Sequence, residues 1–175
     1  MQNGKNSLAL SVDEIVKATG GRLLSSGEGT KFTGVCTDSR EVLSGSIFFA
    51  LKGEKTDGHN FVVSAVEKEA SLCVVEHTTP DIDRIVEKNN CLILMVDDAL
   101  TALQRLARFY RDKFPDIRMV GITGSSGKTT TKELTASILS KLGSTVCTKG
   151  NFNSEIGLPL SISEAAMSTA YLKWE

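Results

Sequence analysis

Seven consecutive residues, Gly124-Ser125-Ser126-Gly127-Lys128-Thr129-Thr130, bring together the types that phosphate binding needs in a small space. Glycines let the backbone approach an anion closely and turn its N–H groups inward. A helix starting at Lys128 adds free N–H groups and a favourable dipole. The Lys128 ammonium suits β- and γ-phosphate charge, and the Thr129 hydroxyl suits Mg²⁺. Thr130 either backs these contacts or only begins the helix. The string is not the longer G-x-x-x-x-G-K-[ST], which needs glycine where Ile122 stands. The shorter G-x-x-G-K-T gains specificity from its neighbours. Residues 117–123 read as a strand, and 128–142 as a helix with Leu134, Ile138 and Leu142 on one stripe. An ordinary strand-to-helix turn with an exposed lysine is the plain alternative. The loop specifies a nucleoside triphosphate and leaves the reaction open.

Earlier elements must support this loop or a second site. Ser11 and Glu14 form a capping-box pattern ahead of Ile15, Val16 and Ala18, and Gly20-Gly21 stops that helix. Residues 22–25, 32–37 and 46–51 read as short strands between Gly- and Ser-rich separators. Then helices over 61–68 and 82–88 alternate with strands over 72–76 and 92–96. A longer helix over 98–114 carries Leu100, Leu103, Ala107, Tyr110 and Phe114 at helical spacing. Pro115 ends it and marks a domain boundary. The fold class is therefore α/β: one small α/β domain over 8–114, then the start of a P-loop α/β domain over 117–175. Residues 144–148 and 171–174 read as further strands of the second.

Composition narrows the function class. With 20 basic and 21 acidic residues, the chain has no electrostatic footprint for nucleic acid. Its apolar share of 41% supports a packed core and argues against disorder. Cys36, Cys73, Cys91 and Cys147 form no C-x-x-C pair, which argues against a zinc site or disulfide framework. The longest apolar run, 91–96, is too short to span a bilayer. These features fit a cytoplasmic protein with no membrane insertion.

Several strings in order narrow the reaction. Val120-Gly121-Ile122-Thr123-Gly124-Ser125-Ser126-Gly127-Lys128-Thr129-Thr130-Thr131-Lys132-Glu133 resembles the ATP loop of the Mur ligases, which build the peptide stem of bacterial peptidoglycan. Thr37-Asp38-Ser39-Arg40, Ile47-Phe48-Phe49-Ala50-Leu51-Lys52-Gly53-Glu54 and Asp57-Gly58-His59-Asn60-Phe61 resemble segments of that family's first domain. Gly150-Asn151-Phe152-Asn153-Ser154-Glu155-Ile156-Gly157-Leu158-Pro159-Leu160 resembles the G-N-x-N-x-E-I-G-x-P-L of its D-alanyl-D-alanine-adding, MurF-type branch. The resemblance implies an ATP-dependent ligase. ATP phosphorylates the carboxylate of UDP-N-acetylmuramoyl-tripeptide, and the amine of D-alanyl-D-alanine attacks the acyl phosphate. It also implies a monomer.

The resemblance assigns candidate sites. Gly124, Ser125, Ser126, Gly127, Lys128, Thr129 and Thr130 would bind ATP, with Lys128 the catalytic candidate and Thr129 a Mg²⁺ ligand. Ser39 and Arg40 would bind the UDP moiety, for which Arg presents donors in a fixed fork. The plain alternative is a turn closed by side-chain-to-backbone bonds, with Asp38 ordering it. Asp57-Gly58-His59 lies between a strand and a helix, where a loop could close over the nucleotide. The plain alternative is a helix N-terminus with Asp57 as a local cap and His59 packed or solvated rather than catalytic. Asn151 and Asn153 would bind substrate or fix the loop, and Glu155 either serves a metal through water or pairs with a neighbour. Glu175 resembles the glutamate of the family's E-M-G, a metal ligand, although Lys173 departs from that strand's apolar pattern. The resemblance further implies an N-terminal portion that does not turn over alone. Two rivals remain: a portion of the MurE-type ligase of the preceding step, and a non-catalytic module for UDP-sugar peptides. An unrelated P-loop kinase leaves the strings at 37–40 and 150–160 unexplained.

Overall fold

The computed structural model describes residues 8, 10–25, 31–53, 56–88, 91–115, 118–148 and 155–169. The chain forms two compact units, Met1–Leu106 and Ala107–Glu175. In the first, helix α1 (Val12–Thr19) starts as its capping box requires. The Ser11 hydroxyl accepts from the Glu14 N–H at 3.2 Å, and the Glu14 carboxylate accepts from the Ser11 N–H at 2.9 Å. Gly20, at φ 74°, closes the helix in the left-handed conformation that glycine adopts without a Cβ penalty.

Five strands follow: β1 (Arg22–Leu23), β2 (Gly34–Cys36), β3 (Ser46–Phe49), β4 (Leu72–Val75) and β5 (Leu92–Met95). They form one sheet in the order β1-β5-β4-β3-β2. β2 to β5 pair in parallel, and β1 pairs antiparallel at the edge. A 3₁₀ turn (Gly58–Phe61) and α2 (Val62–Glu67) join β3 to β4, and α3 (Pro80–Lys88) joins β4 to β5. β3 and β4 are apolar at nearly every position and buried at all of them. A parallel sheet covered on both faces buries both sides of each strand.

Register sets which residues meet. Phe48, Cys73 and Ile93 lie in one row across three strands. They pack with Val62 and Ala65 of α2 and Ile82 and Ile85 of α3. Alternation sends Ile47, Phe49, Leu72, Val74 and Leu94 to the opposite face, where all are buried. Each such side chain contributes about 1.5–3 kcal/mol of apolar burial. The long helix α4 (Ala99–Asp112) begins where Asp98 accepts from the Thr101 N–H at 2.6 Å, and it ends before Phe114-Pro115.

The second unit holds α5 (Lys128–Leu139) and α6 (Gly157–Thr169). α5 matches the helix expected after the glycine loop. Among the described residues, the expected strands carry no ladder over 118–123 and 144–148. Strand propensity becomes a strand only when a neighbour accepts its hydrogen bonds, and no described segment of this unit does so. The third expected strand, 171–174, lies outside the described residues. α6 was not expected from the sequence. Pro159 sits in its first turn, where a missing N–H leaves no helical bond unmade.

Candidate functional site

The glycine loop leads directly into α5. Gly127 is the N-cap at φ 75°, a left-handed position that a β-carbon disfavours. It has no side chain with which to occupy the first N–H groups of the helix, so these face whatever binds there. Gly124, at φ 154°, turns the chain just before. Lys128 folds back over the loop and donates from Nζ to the Gly124 carbonyl. Ser125, Ser126, Thr129 and Thr130 are exposed around it. The arrangement offers backbone N–H groups, one ammonium and hydroxyls within a few residues. Farther along the helix, Lys132 Nζ donates to the Thr148 carbonyl at 2.6 Å.

The first unit builds a second arrangement at Asp38–Glu41. The Asp38 carboxylate accepts from the Arg40 N–H at 2.8 Å and from Arg40 Nε at 3.0 Å. The Arg40 Nη2 contact is 2.6 Å. These side-chain and backbone hydrogen bonds from Arg40 lower the Asp38 carboxyl to about 2. Asp38 therefore orders the turn. Arg40 is 86% exposed in its side chain even though Asp38 holds one edge of the guanidinium, leaving the other edge toward solvent. Ser39 is buried beside it. Sequence reasoning missed Lys68, whose Nζ donates to the carbonyls of Ser39 at 2.9 Å and Arg40 at 3.3 Å. A lysine 28 residues away gives no local signal of that contact.

A third cluster gathers Asp57, His59 and His77, whose ligand atoms lie within 4.8 Å of one another. Asp57 caps the 3₁₀ turn by accepting from the His59 N–H at 2.9 Å. That hydrogen bond, then the one from the imidazole, lowers the Asp57 carboxyl. His59 Nε2 accepts from the Glu76 N–H at 2.9 Å. The ring proton therefore lies on Nδ1, which contacts Asp57 Oδ1 at 2.6 Å. Both ring nitrogens are engaged, and His59 is buried with His77 stacked on it at 3.9 Å. The imidazole ties the turn to the end of β4, and neither nitrogen is left for a metal. Gly58 is needed here because an added Cβ would lie 2.6 Å from the Leu51 backbone N.

Asn151, Asn153 and Glu175 lie outside the described residues. Glu155 is exposed ahead of α6. No helix among the described residues is long and apolar enough to cross a membrane.

Two family models match the chain: "Mur ligase family, catalytic domain" over residues 31–111 and "Mur ligase middle domain" over 122–175. A relative from Treponema pallidum, a UDP-N-acetylmuramoyl-tripeptide–D-alanyl-D-alanine ligase, is 41% identical over 159 residues. That match takes in 89% of this chain and 35% of the relative. Among solved structures, MurF from Acinetobacter baumannii superposes with a TM-score of 0.77 at 35% identity, covering 88% of this chain and 32% of its own. MurF from Thermotoga maritima in complex with ADP gives 0.58 at 37% identity, covering 74% and 28%. The chain thus spans about a third of the length of the relatives it matches.

Proposed function

The chain belongs to the Mur ligase family, and from that membership we propose that it supplies the UDP-substrate and ATP-phosphate sites of a ligase that joins D-alanyl-D-alanine to UDP-N-acetylmuramoyl-tripeptide in the cytoplasm. Residues 8–114 take the UDP end of the substrate, and residues 117–175 take the ATP phosphates. The carrying observation is the helix start at Gly127, with no capping side chain and with Lys128 folded over the loop. A pre-shaped set of N–H groups beside one ammonium stabilises charge on a phosphoryl group in transfer without rearranging. The relative solved in complex with ADP supports an adenine nucleotide as ligand.

Mg²⁺ fits the same place. Thr129 is exposed at the second position of α5 and carries a hard oxygen donor next to Lys128. When bound, the ion would neutralise phosphate charge. Thr129 would hold it, with Glu175 the second proposed ligand. Ser39 and Arg40 bind the UDP moiety, the free edge of the Arg40 guanidinium taking phosphate or uracil oxygens. Asn151 and Asn153 contribute from the substrate side.

Calorimetric titration of the chain tests this reading with two ligands in separate runs. MgATP binding is expected to fall at least tenfold in Lys128→Ala and to persist in Arg40→Met. UDP-N-acetylmuramoyl-tripeptide binding is expected to show the reverse pattern. Binding of the UDP ligand with no ATP binding in the wild type would instead favour the non-catalytic module.

A further inference from the structure

The Asp38–Glu41 turn is held from two sides, and one of those sides is Lys68. The peptide joining Ser39 to Arg40 donates its N–H to Asp38 Oδ1 at 2.8 Å, while its carbonyl accepts from Lys68 Nζ at 2.9 Å. In the next peptide, the Glu41 N–H donates to the Asp38 carbonyl at 3.0 Å, while the Arg40 carbonyl accepts from the same Lys68 Nζ at 3.3 Å. Both peptide planes flanking the Arg40 Cα are therefore fixed at both ends. Those planes set φ and ψ of Arg40, and so the direction in which its side chain leaves the backbone. Two successive carbonyls converging on one point favour a cation there, and an ammonium brings three donors to them.

Lys68 is itself anchored. It is the C-cap of α2, and the helix closes in a Schellman arrangement. The Glu69 N–H donates to the Val66 carbonyl at 2.9 Å and the Ala70 N–H to the Ala65 carbonyl at 3.0 Å. Glu69 takes the left-handed position at φ 64°. Ala65 and Ala70 are buried in the sheet-facing core, so the lysine stem rises from a fixed base.

We propose that Lys68 is the positioning residue that holds the Ser39–Arg40 turn in the shape that receives substrate. The inference rests on reading that turn as the UDP-substrate site. Lys68 touches backbone carbonyls and acts through Arg40, so its removal weakens binding by loosening the turn.

The test titrates the whole chain with UDP-N-acetylmuramoyl-tripeptide and compares Lys68→Met, Lys68→Arg, Arg40→Met and Ser39→Ala. Lys68→Met keeps the apolar stem and removes the donors. It is expected to weaken binding about tenfold, the scale of losing hydrogen bonds from a charged donor. Lys68→Arg should recover most of that loss. Without ligand, amide hydrogen exchange at Arg40 and Glu41 should speed up in Lys68→Met, while the core amides of β3 and β4 stay protected. If Arg40→Met weakens binding and Lys68→Met binds like the wild type, the positioning role falls alone. If neither Arg40→Met nor Ser39→Ala alters binding, the reading of the turn falls and takes this inference with it. A loss in Lys68→Met accompanied by faster exchange throughout β3 and β4 would mean a general structural role and would also overturn it.

Discussion

Phe48 on β3 and Leu134 on α5 are both large apolar residues on regular elements, yet one is fully buried and the other is 61% exposed. The contrast runs through the two units. In the first, β3 and β4 are buried at every position, and α2 and α3 lie against one face of the sheet. In the second, α5 has no buried residue, and Ile138 and Leu142 are 63% and 77% exposed. A 3.6-residue repeat of apolar side chains suffices to specify a helix and its stripe. It does not supply the surface against which the stripe is buried. In the first unit, consecutive βα crossovers bring that surface from nearby in the chain. The glycine loop shows the complementary case: its geometry is local, so it forms at the start of an exposed helix.

Thiol chemistry offers the widest separation between the two regions. Cys147 is exposed in the second unit, whereas Cys36, Cys73 and Cys91 are buried in the first. Burial pushes the Cys36 thiol up to about 12, and the hydrogen bond with Cys91 is the main cause raising Cys73. Because the thiolate is the reacting form, a colorimetric disulfide reagent should modify one thiol quickly and the other three only as the first unit opens. Rapid modification of all four in the native protein would erase the contrast.

Core truncation should come next in size. Phe48→Ala is expected to cost about 3–5 kcal/mol in urea unfolding, and Leu134→Ala less than about 0.5 kcal/mol. Equal costs would mean that α5 is buried in solution. Glycines sharpen the same point. Gly58→Ala places a Cβ 2.6 Å from the Leu51 backbone N and O, whereas Gly121→Ala meets nothing within 4 Å. The first should destabilise by about 1–3 kcal/mol and the second by almost nothing, measured by the same unfolding curves. Ser11→Ala removes half of the capping box and should cost about 1 kcal/mol. Glu14→Gln, which keeps an acceptor, should cost less.

The smallest effect is in the pH dependence of the exposed Asp38–Arg40 pair. The Asp38 carboxyl lies at about 2 in the fold, below its ordinary 3.8. Its contribution is therefore present above pH 3.8 and is lost as the pH falls toward 2. Solvent screening keeps the stability change small. NMR titration of the Asp38 carboxyl carbon should give a midpoint near 2, and Arg40→Met should move it up toward 3.8. An unmoved midpoint in that variant would sever the pair.

Much of the first unit was legible because its signals are short in range. The Ser11–Glu14 box, the Gly20 stop and the apolar runs at 46–49, 72–75 and 92–95 each carry their cause within a few residues. The same holds for Asp57 as a cap and for Asp38 as the organiser of its turn. The strands expected around the glycine loop failed for the opposite reason. Their apolar, β-branched residues state a preference that only a paired neighbour converts into a ladder. α6 was missed because Gly157 and Pro159 weaken a helical reading of a segment whose helix nonetheless tolerates both at its first turn.

The sequence by itself determined the alternation of strands and helices in the first unit, the caps at α1 and at Asp57, and the glycine-to-helix turn that opens α5. Each follows from backbone sterics and hydrogen bonds within a turn or two. Tertiary structure alone decided that Lys68 reaches the Ser39 and Arg40 carbonyls and that His59 bridges Asp57 to the Glu76 N–H. It also decided that Phe48, Cys73 and Ile93 share a row. Apart from the local Asp57–His59 bond, those contacts join residues 17 to 29 positions apart, or neighbouring strands of one sheet, and no local preference encodes them. They exist because burying both faces of the parallel sheet fixes strand order and register, and the helix ends and loops are carried into place with it.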